Sequence, residues 1–230
     1  MRGLFVTGTD TGVGKTVVAS AIAATLAERG ERVAVFKPVL TGLNPEVELP
    51  DHDRLRLSAR SGQRPQEVAP YRFQPAFSPH LAAEMAGVRV KPRILLACAQ
   101  RAVEAGDTLI AEGVGGLMVP LADGYLVRDL AVELELPIVL IARPGLGTIN
   151  HTLMTLECAR AARLDVVAVV LNPWPDSPGA IERSNRETIA SLGRVEVETL
   201  PLLDTSGPIG PIDDLPIERW LSSPAAARAA

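Results

Sequence analysis

Gly8-Thr9-Asp10-Thr11-Gly12-Val13-Gly14-Lys15-Thr16 gathers the residue types that hold the phosphates of a nucleotide. Glycines let main-chain N–H groups close around phosphate oxygens, and a helix starting there adds its dipole. An ammonium at Lys15 reaches the β- and γ-phosphates, and a hydroxyl at Thr16 can ligand magnesium. The usual pattern leaves four residues between its first glycine and Gly-Lys. Here Thr9 holds that first-glycine position, one residue after Gly8.

Further groups of the same chemistry recur where apolar runs end. Lys37 opens Lys37-Pro38-Val39-Leu40-Thr41-Gly42 after Arg32–Phe36. Only Lys15, Lys37 and Lys91 are lysines among 23 basic residues, so a lysine is a departure from the habit of this chain. A compact ammonium and a planar guanidinium are not equivalent at a phosphate site. Asp51-His52-Asp53 heads a short helix, with Asp51 suited to an N-cap and Asp53 to a second carboxylate near magnesium. Glu112-Gly113-Val114-Gly115-Gly116 puts a carboxylate at the end of an apolar run. Magnesium prefers a few protein oxygens and fills its shell with water and phosphate, which Thr16, Asp53 and Glu112 would suit. Arg143–His151 carries Gly145 and Gly147 before a helix, either a second anion site or a capped helix. Asn172 has the donor and acceptor that the edge of adenine requires. His52, His80 and His151 have no metal spacing, and Cys98 and Cys158 stand alone, as reduced packing residues do.

These groups need a scaffold that brings strand ends together. Apolar runs at 2–7, 32–36, 107–111, 137–142, 166–171 and 195–200 alternate with helical patterns at 15–29, 51–60, 93–105, 125–134, 148–163 and 178–192. The stretches 38–50 and 61–80, rich in proline and glycine, read as loops, and 112–116 as a glycine-rich loop. Repeated β-α-β units imply an α/β, three-layer P-loop NTPase-like fold, a mostly parallel sheet with helices on both faces. One domain over 1–222 and a flexible tail over 223–230 are expected. In such sheets ligands sit at the carboxyl ends of the strands.

With 230 residues, 47% apolar, the chain can build a substantial core. Its net charge of −4, without a basic stripe, argues against nucleic acid as a partner. No apolar run reaches the length of a membrane span and the N-terminus has no signal-peptide pattern, so the expected location is cytoplasmic.

Taken in order, Thr7–Thr16, Lys37–Gly42, Asp53, Ser78-Pro79-His80, Glu112–Gly116, Gly147–His151 and Asn172 resemble the dethiobiotin synthetases over nearly the whole chain. That resemblance implies an enzyme using Mg²⁺ and ATP to close the ureido ring on 7,8-diaminononanoate and CO₂. The route would pass through a carbamate and a carbamic–phosphoric anhydride, releasing ADP and phosphate. Lys15 and Lys37 would be the catalytic cations and Thr41 would contact the diamine. The nucleotide would lie along Gly12, Val13, Gly14, Lys15, Thr16, Val17, Asp53, Glu112, Gly113, Val114 and Gly115. Asn172 would read the base, with Pro201, Leu202 and Leu203 lining it. Thr16, Asp53 and Glu112 would form the magnesium set. Gly147, Thr148 and Asn150 would hold the substrate carboxylate, contributed by the second subunit of a homodimer. Some relatives carry an acidic residue at the position of Gly12, so any contact it makes is lost or replaced here. The rival readings are another amide-forming synthetase of the same fold and a regulatory or partitioning P-loop ATPase. The latter often has an extra lysine early in the loop, where this chain has Thr9, Asp10 and Thr11.

Overall fold

The computed structural model describes residues 1–44, 46 and 49–223. The tail expected over 223–230 lies outside the described residues except for Ser223. In chain order the elements are β1 (Gly3–Gly8), α1 (Lys15–Glu28), β2 (Val33–Phe36), β3 (Val39–Leu40), α2 (Asp51–Ser58), α3 (Pro65–Val68) and β4 (Tyr71–Arg72). Then follow α4 (Pro79–Met85), α5 (Pro92–Ala105), β5 (Thr108–Gly116), β6 (Pro120–Ala122), β7 (Tyr125–Leu126), α6 (Val127–Leu134) and β8 (Ile138–Ala142). The last are α7 (Thr148–Ala161), β9 (Val166–Trp174), α8 (Ala180–Gly193), β10 (Val197–Pro201) and α9 (Ile217–Leu221).

Six of these strands form one parallel sheet in the order β10-β9-β8-β1-β5-β2. The chain leaves β1 toward one edge for β2 and returns to build the other edge with β8, β9 and β10. The carboxyl end of β1 is thus the switch point, where an open α/β sheet leaves a crevice.

Side chains alternate across each strand, as a pleated backbone requires. Leu4, Val6, Val33, Val35, Ile110, Val139, Ile141, Ala168 and Val170 pack on one face with residues of α1, α2 and α9. Phe5, Ala34, Phe36, Leu109, Ala111 and Ile138 pack on the other against α5 and α6, and Leu140, Val169 and Leu171 continue that face under α7 and α8. Helix α1 is buried from Val18 to Leu26 without an exposed side, a consequence of its alanine-rich composition and its place between sheet and outer helices.

Three boundaries differ from the sequence expectation. The glycine-rich stretch 112–116 is strand rather than loop, because pairing with β1 continues through Val6↔Glu112 to Gly8↔Gly116. Strand β9 runs on past Leu171, since β10 pairs with it as far as Pro201↔Trp174. Tyr125–Leu126 pairs with Pro120–Ala122, and the helix begins only at Val127, where Asp129 Oδ2 accepts the Leu126 N–H at 2.8 Å. Helices α3, α4 and α9 were not expected, the first lying within the stretch 61–80 read as loop; α4 opens at Pro79, whose fixed φ suits the first helical turn.

Between β10 and α9 the chain crosses the outer surface of α1 and α2. The Ile212 N–H donates to Thr25 Oγ1 (2.9 Å) and the Ile209 N–H to Ser58 Oγ (2.9 Å), while Arg54 donates to the Gly207 carbonyl. This segment delivers Trp220, 1% exposed, to the core beneath the sheet.

Candidate active site

The loop from Gly8 to Gly14 links β1 directly to α1. Gly14 has φ +88°, a left-handed conformation that glycine adopts without strain. A Cβ there would also drive into the amide of Asn172. That amide donates from Nδ2 to the Val13 carbonyl at 3.1 Å, so the end of β9 braces the loop. Lys15 Nζ donates to the Asp10 carbonyl at 2.8 Å. Burial pulls the Lys15 ammonium below its ordinary value; Glu112 opposes this and Lys37 adds to it.

Across the sheet end lies a cluster of four side chains. Lys37 Nζ is 2.6 Å from Glu112 Oε1 and 2.9 Å from Asp51 Oδ2. Thr16 Oγ1 donates to the same Glu112 oxygen at 2.8 Å. Burial works against the charge on Lys37, but the Glu112 and Asp51 carboxylates outweigh it and hold the ammonium above its ordinary value. Burial also opposes ionisation of Asp51, yet Lys37 beside it, with a hydrogen bond from Thr16, keeps that carboxyl low. Glu112 is pushed up by complete burial, with the charge of Asp51 acting the same way against Lys37 and Thr16.

The cluster corrects one sequence assignment. Asp51, not Asp53, stands beside Lys37 and Thr16. Asp53 Oδ1 instead accepts from Arg56 Nε at 2.6 Å, and its other oxygen is 3.9 Å from His52 Nε2. Two residues along a helix are about 200° apart, so the two carboxylates face opposite ways. Nor is Asp51 the N-cap, which is Pro50.

A cavity of about 340 Å³ opens onto this cluster, lined by Thr11, Gly12, Gly14, Lys15, Thr16, Val17, Lys37, Leu40, Thr41, Asp51, Glu112, Val114 and Gly115. Most of the expected nucleotide residues therefore meet in one place. Gly113 does not line it: alternation along β5 turns that position toward Phe5 and Val127 on the other face. Val13 is buried and contributes its carbonyl to Asn172. Pro201 and Leu202 are exposed beside the end of β9, and Leu203 packs on the core. Gly147 caps α7, and the Thr148 hydroxyl is buried, facing Thr152 Oγ1 at 3.4 Å, so of the three residues expected at the substrate carboxylate Gly147 and Asn150 turn outward.

Among the described residues no three His, Cys, Asp or Glu side chains converge as a metal cage. Thr16, Asp51 and Glu112 form the sparser oxygen set that suits magnesium sharing its shell with phosphate and water. Glu112 Oε2 is buried and has no hydrogen-bond partner among the described residues, which leaves one carboxylate oxygen available to such an ion or its water. The donor set therefore fits the metal.

The chain shares its architecture with a ParA family ATPase from Chlorobium tepidum TLS, at TM-score 0.54 and 14% identity, covering 100% of this chain and 92% of that one. A family model described as an AAA domain matches residues 2–206. Fold and loop together define a P-loop α/β protein that binds ATP. The chain is 38% identical over 197 residues to the ATP-dependent dethiobiotin synthetase of Bacillus subtilis subsp. natto, covering 86% of this chain and 85% of the relative. With that of Mycobacterium sp. (strain KMS) it is 40% identical over 215 residues, covering 93% and 92%. It belongs to the ATP-dependent dethiobiotin synthetases, a family of ligases.

Proposed function

We propose that this chain closes the ureido ring of dethiobiotin from 7,8-diaminononanoate and CO₂, driven by Mg-ATP. The observation that carries the reading is the buried Lys37 ammonium, 2.6 Å from Glu112 at the mouth of the phosphate loop. Each step of that reaction builds negative charge on carbamate or phosphoryl oxygens, and fixed cations in a partly dry site stabilise such charge as it develops.

One amine of the substrate, in its neutral form, attacks CO₂ and loses a proton to give a carbamate. The ammonium groups of Lys15 and Lys37 disfavour a third positive charge nearby, which favours the neutral amine. A carbamate oxygen then attacks the γ-phosphorus, the bond to the bridging oxygen breaks, and ADP leaves. The second amine attacks the carbonyl carbon of the mixed anhydride, expelling phosphate and closing the ring. Lys15 would follow the phosphates and Lys37 the transferring group; Thr41, on the cavity wall, would meet the diamine. Magnesium, held by Thr16, Asp51 and Glu112, would neutralise charge on the β- and γ-phosphates. Asn172 and the Pro201–Leu203 segment would hold the base.

A homodimer fits the same reading. Leu146, 90% exposed, and Met154, 64% exposed, stand beside Gly147 and Asn150 at the start of α7. Burying them against a second copy would remove their apolar surface from water beside that loop. A second copy covering them would bring its own Gly147–Asn150 loop to the substrate carboxylate.

The test is phosphate release from Mg-ATP and bicarbonate with and without 7,8-diaminononanoate. Release that needs the diamine, together with a cyclic urea product, supports the reading. Release indifferent to the diamine refutes it.

A further inference from the structure

Asp10 is bound at three points. Its carbonyl accepts Lys15 Nζ at 2.8 Å, its Oδ1 accepts the Thr11 N–H at 2.7 Å, and its Oδ2 accepts Arg143 Nη2 at 3.0 Å. Arg143 directly follows the last residue of β8, the strand whose Ile141 carbonyl accepts the Thr9 N–H at 2.9 Å. The loop beyond it is itself held. Asn185 on α8, 6% exposed, donates from Nδ2 to the carbonyls of Pro144 (2.8 Å) and Gly145 (3.2 Å). A chain of hydrogen bonds thus runs from α8 through the Arg143 loop to the phosphate loop.

We infer that Arg143 is a positioning residue for ATP binding: through Asp10 it fixes the carbonyl that carries the Lys15 ammonium, and with it the opening of the phosphate loop. The inference rests on the reading of that loop as the ATP site. The Asp10 and Arg143 side chains are about half exposed, at 53% and 50%, so the pair by itself adds little to folding stability. Its effect falls on where the phosphate loop sits. The Oδ1 bond to Thr11 and the Oδ2 bond to Arg143 use both carboxylate oxygens, so Asp10 cannot rotate without breaking one of them.

Calorimetric titration of Mg-ATP into the full chain tests this with Arg143→Gln, Asp10→Asn and the double variant. Each single change should weaken binding about two- to fivefold, the range of an exposed ion pair. The double variant should be no weaker than the weaker single one, because both remove the same link. Arg143→Lys should recover part of the loss, and molar salt should narrow the gap between wild type and variants by screening the pair. Losses that multiply in the double variant would overturn the inference, since Arg143 would then act on ATP by itself. A lowered Tm with unchanged ATP affinity would overturn it as a structural contact only. Titration measures binding without turnover, so the result stands apart from whether the diamine is the substrate. A wild-type chain that binds no ATP would overturn the inference together with the ATP reading.

Discussion

Lys37 Nζ lies 2.6 Å from Glu112 Oε1 because β2 and β5 are adjacent parallel strands in register. Phe36 sits opposite Ala111, so the next residue on each strand emerges beside the other at the same end of the sheet. The ion pair that organises the site is thus a product of strand register. Loop conformation does not set it, and it is nearly dry, with side-chain exposures of 5% and 1%.

Lys37→Gln should lower kcat by at least about 10²-fold, the range seen when one donor to a developing anion is removed. The KM for ATP should change only a few-fold, because Lys15 and the loop remain. The variant should also lose about 3–5 kcal/mol of stability, since Glu112 is left buried without its counter-charge. Steady-state kinetics and urea unfolding report the two effects separately; unchanged turnover removes Lys37 from the mechanism.

Asp51→Asn and Asp53→Asn should behave differently. The first removes an oxygen anion from the Lys37–Thr16 cluster and should weaken the magnesium dependence of ATP binding about tenfold or more. The second touches only the contacts with Arg56 and His52, away from that cluster, and should leave that dependence within a factor of two. A magnesium titration of ATP affinity in the two variants distinguishes them. Equal effects would contradict the division of roles.

Gly14→Ala should abolish tight ATP binding at little cost to the rest of the fold. The new methyl group meets a left-handed backbone and the Asn172 amide together. Fluorescent nucleotide titration with circular dichroism as the control checks it. Retained affinity would show that loop and amide yield.

Leu146→Glu should shift the chain toward monomer and lower activity together, while ATP binding to each monomer persists. Light scattering over a range of protein concentration gives the association state. A monomeric wild type, or a variant that stays dimeric, would remove this surface as the interface.

The phenol of Tyr125 is pushed above its ordinary value by burial, and by its hydrogen bond to Glu133 and that carboxylate's charge. A phenol raised in the folded state adds stability that is present below pH 10 and lost as the pH rises past it, because the unfolded chain ionises first. Wild type should therefore lose stability above pH 10 more steeply than Tyr125→Phe. Urea unfolding at pH 8 and pH 10.5 measures the difference, and parallel losses would refute the shift.

The sheet, the phosphate loop and the place of Lys37 and Glu112 at strand ends are legible in the residues, because they follow from apolar runs and from a glycine-lysine pattern; the contact between those two side chains is not. Nor is the choice between Asp51 and Asp53. Asp51 stands four residues before Leu55 and Asp53 four before Leu57, so helical spacing offers two equivalent faces. Packing decides: Leu55 is fully buried and Leu57 is 41% exposed. The stretch 112–116 misleads for a related reason, since its glycines are poor strand formers and only the neighbouring β1 keeps them extended. Helix α9 is hidden from view by the Pro- and Gly-rich run before it, although Ile217, Trp220 and Leu221 are core residues. The Asp10–Arg143 link joins residues 133 positions apart, and no local pattern announces it.

The enclosure of α1 has a thermodynamic consequence. Its first turn bears Lys15 and Thr16, and from Val18 onward it is locked between the sheet and the C-terminal crossing segment. Groups already immobilised lose little freedom when a ligand arrives, so the ordering penalty of association is met mostly at folding. ATP then enters a mould set in advance, and the entropy lost on binding should come from the nucleotide far more than from the protein.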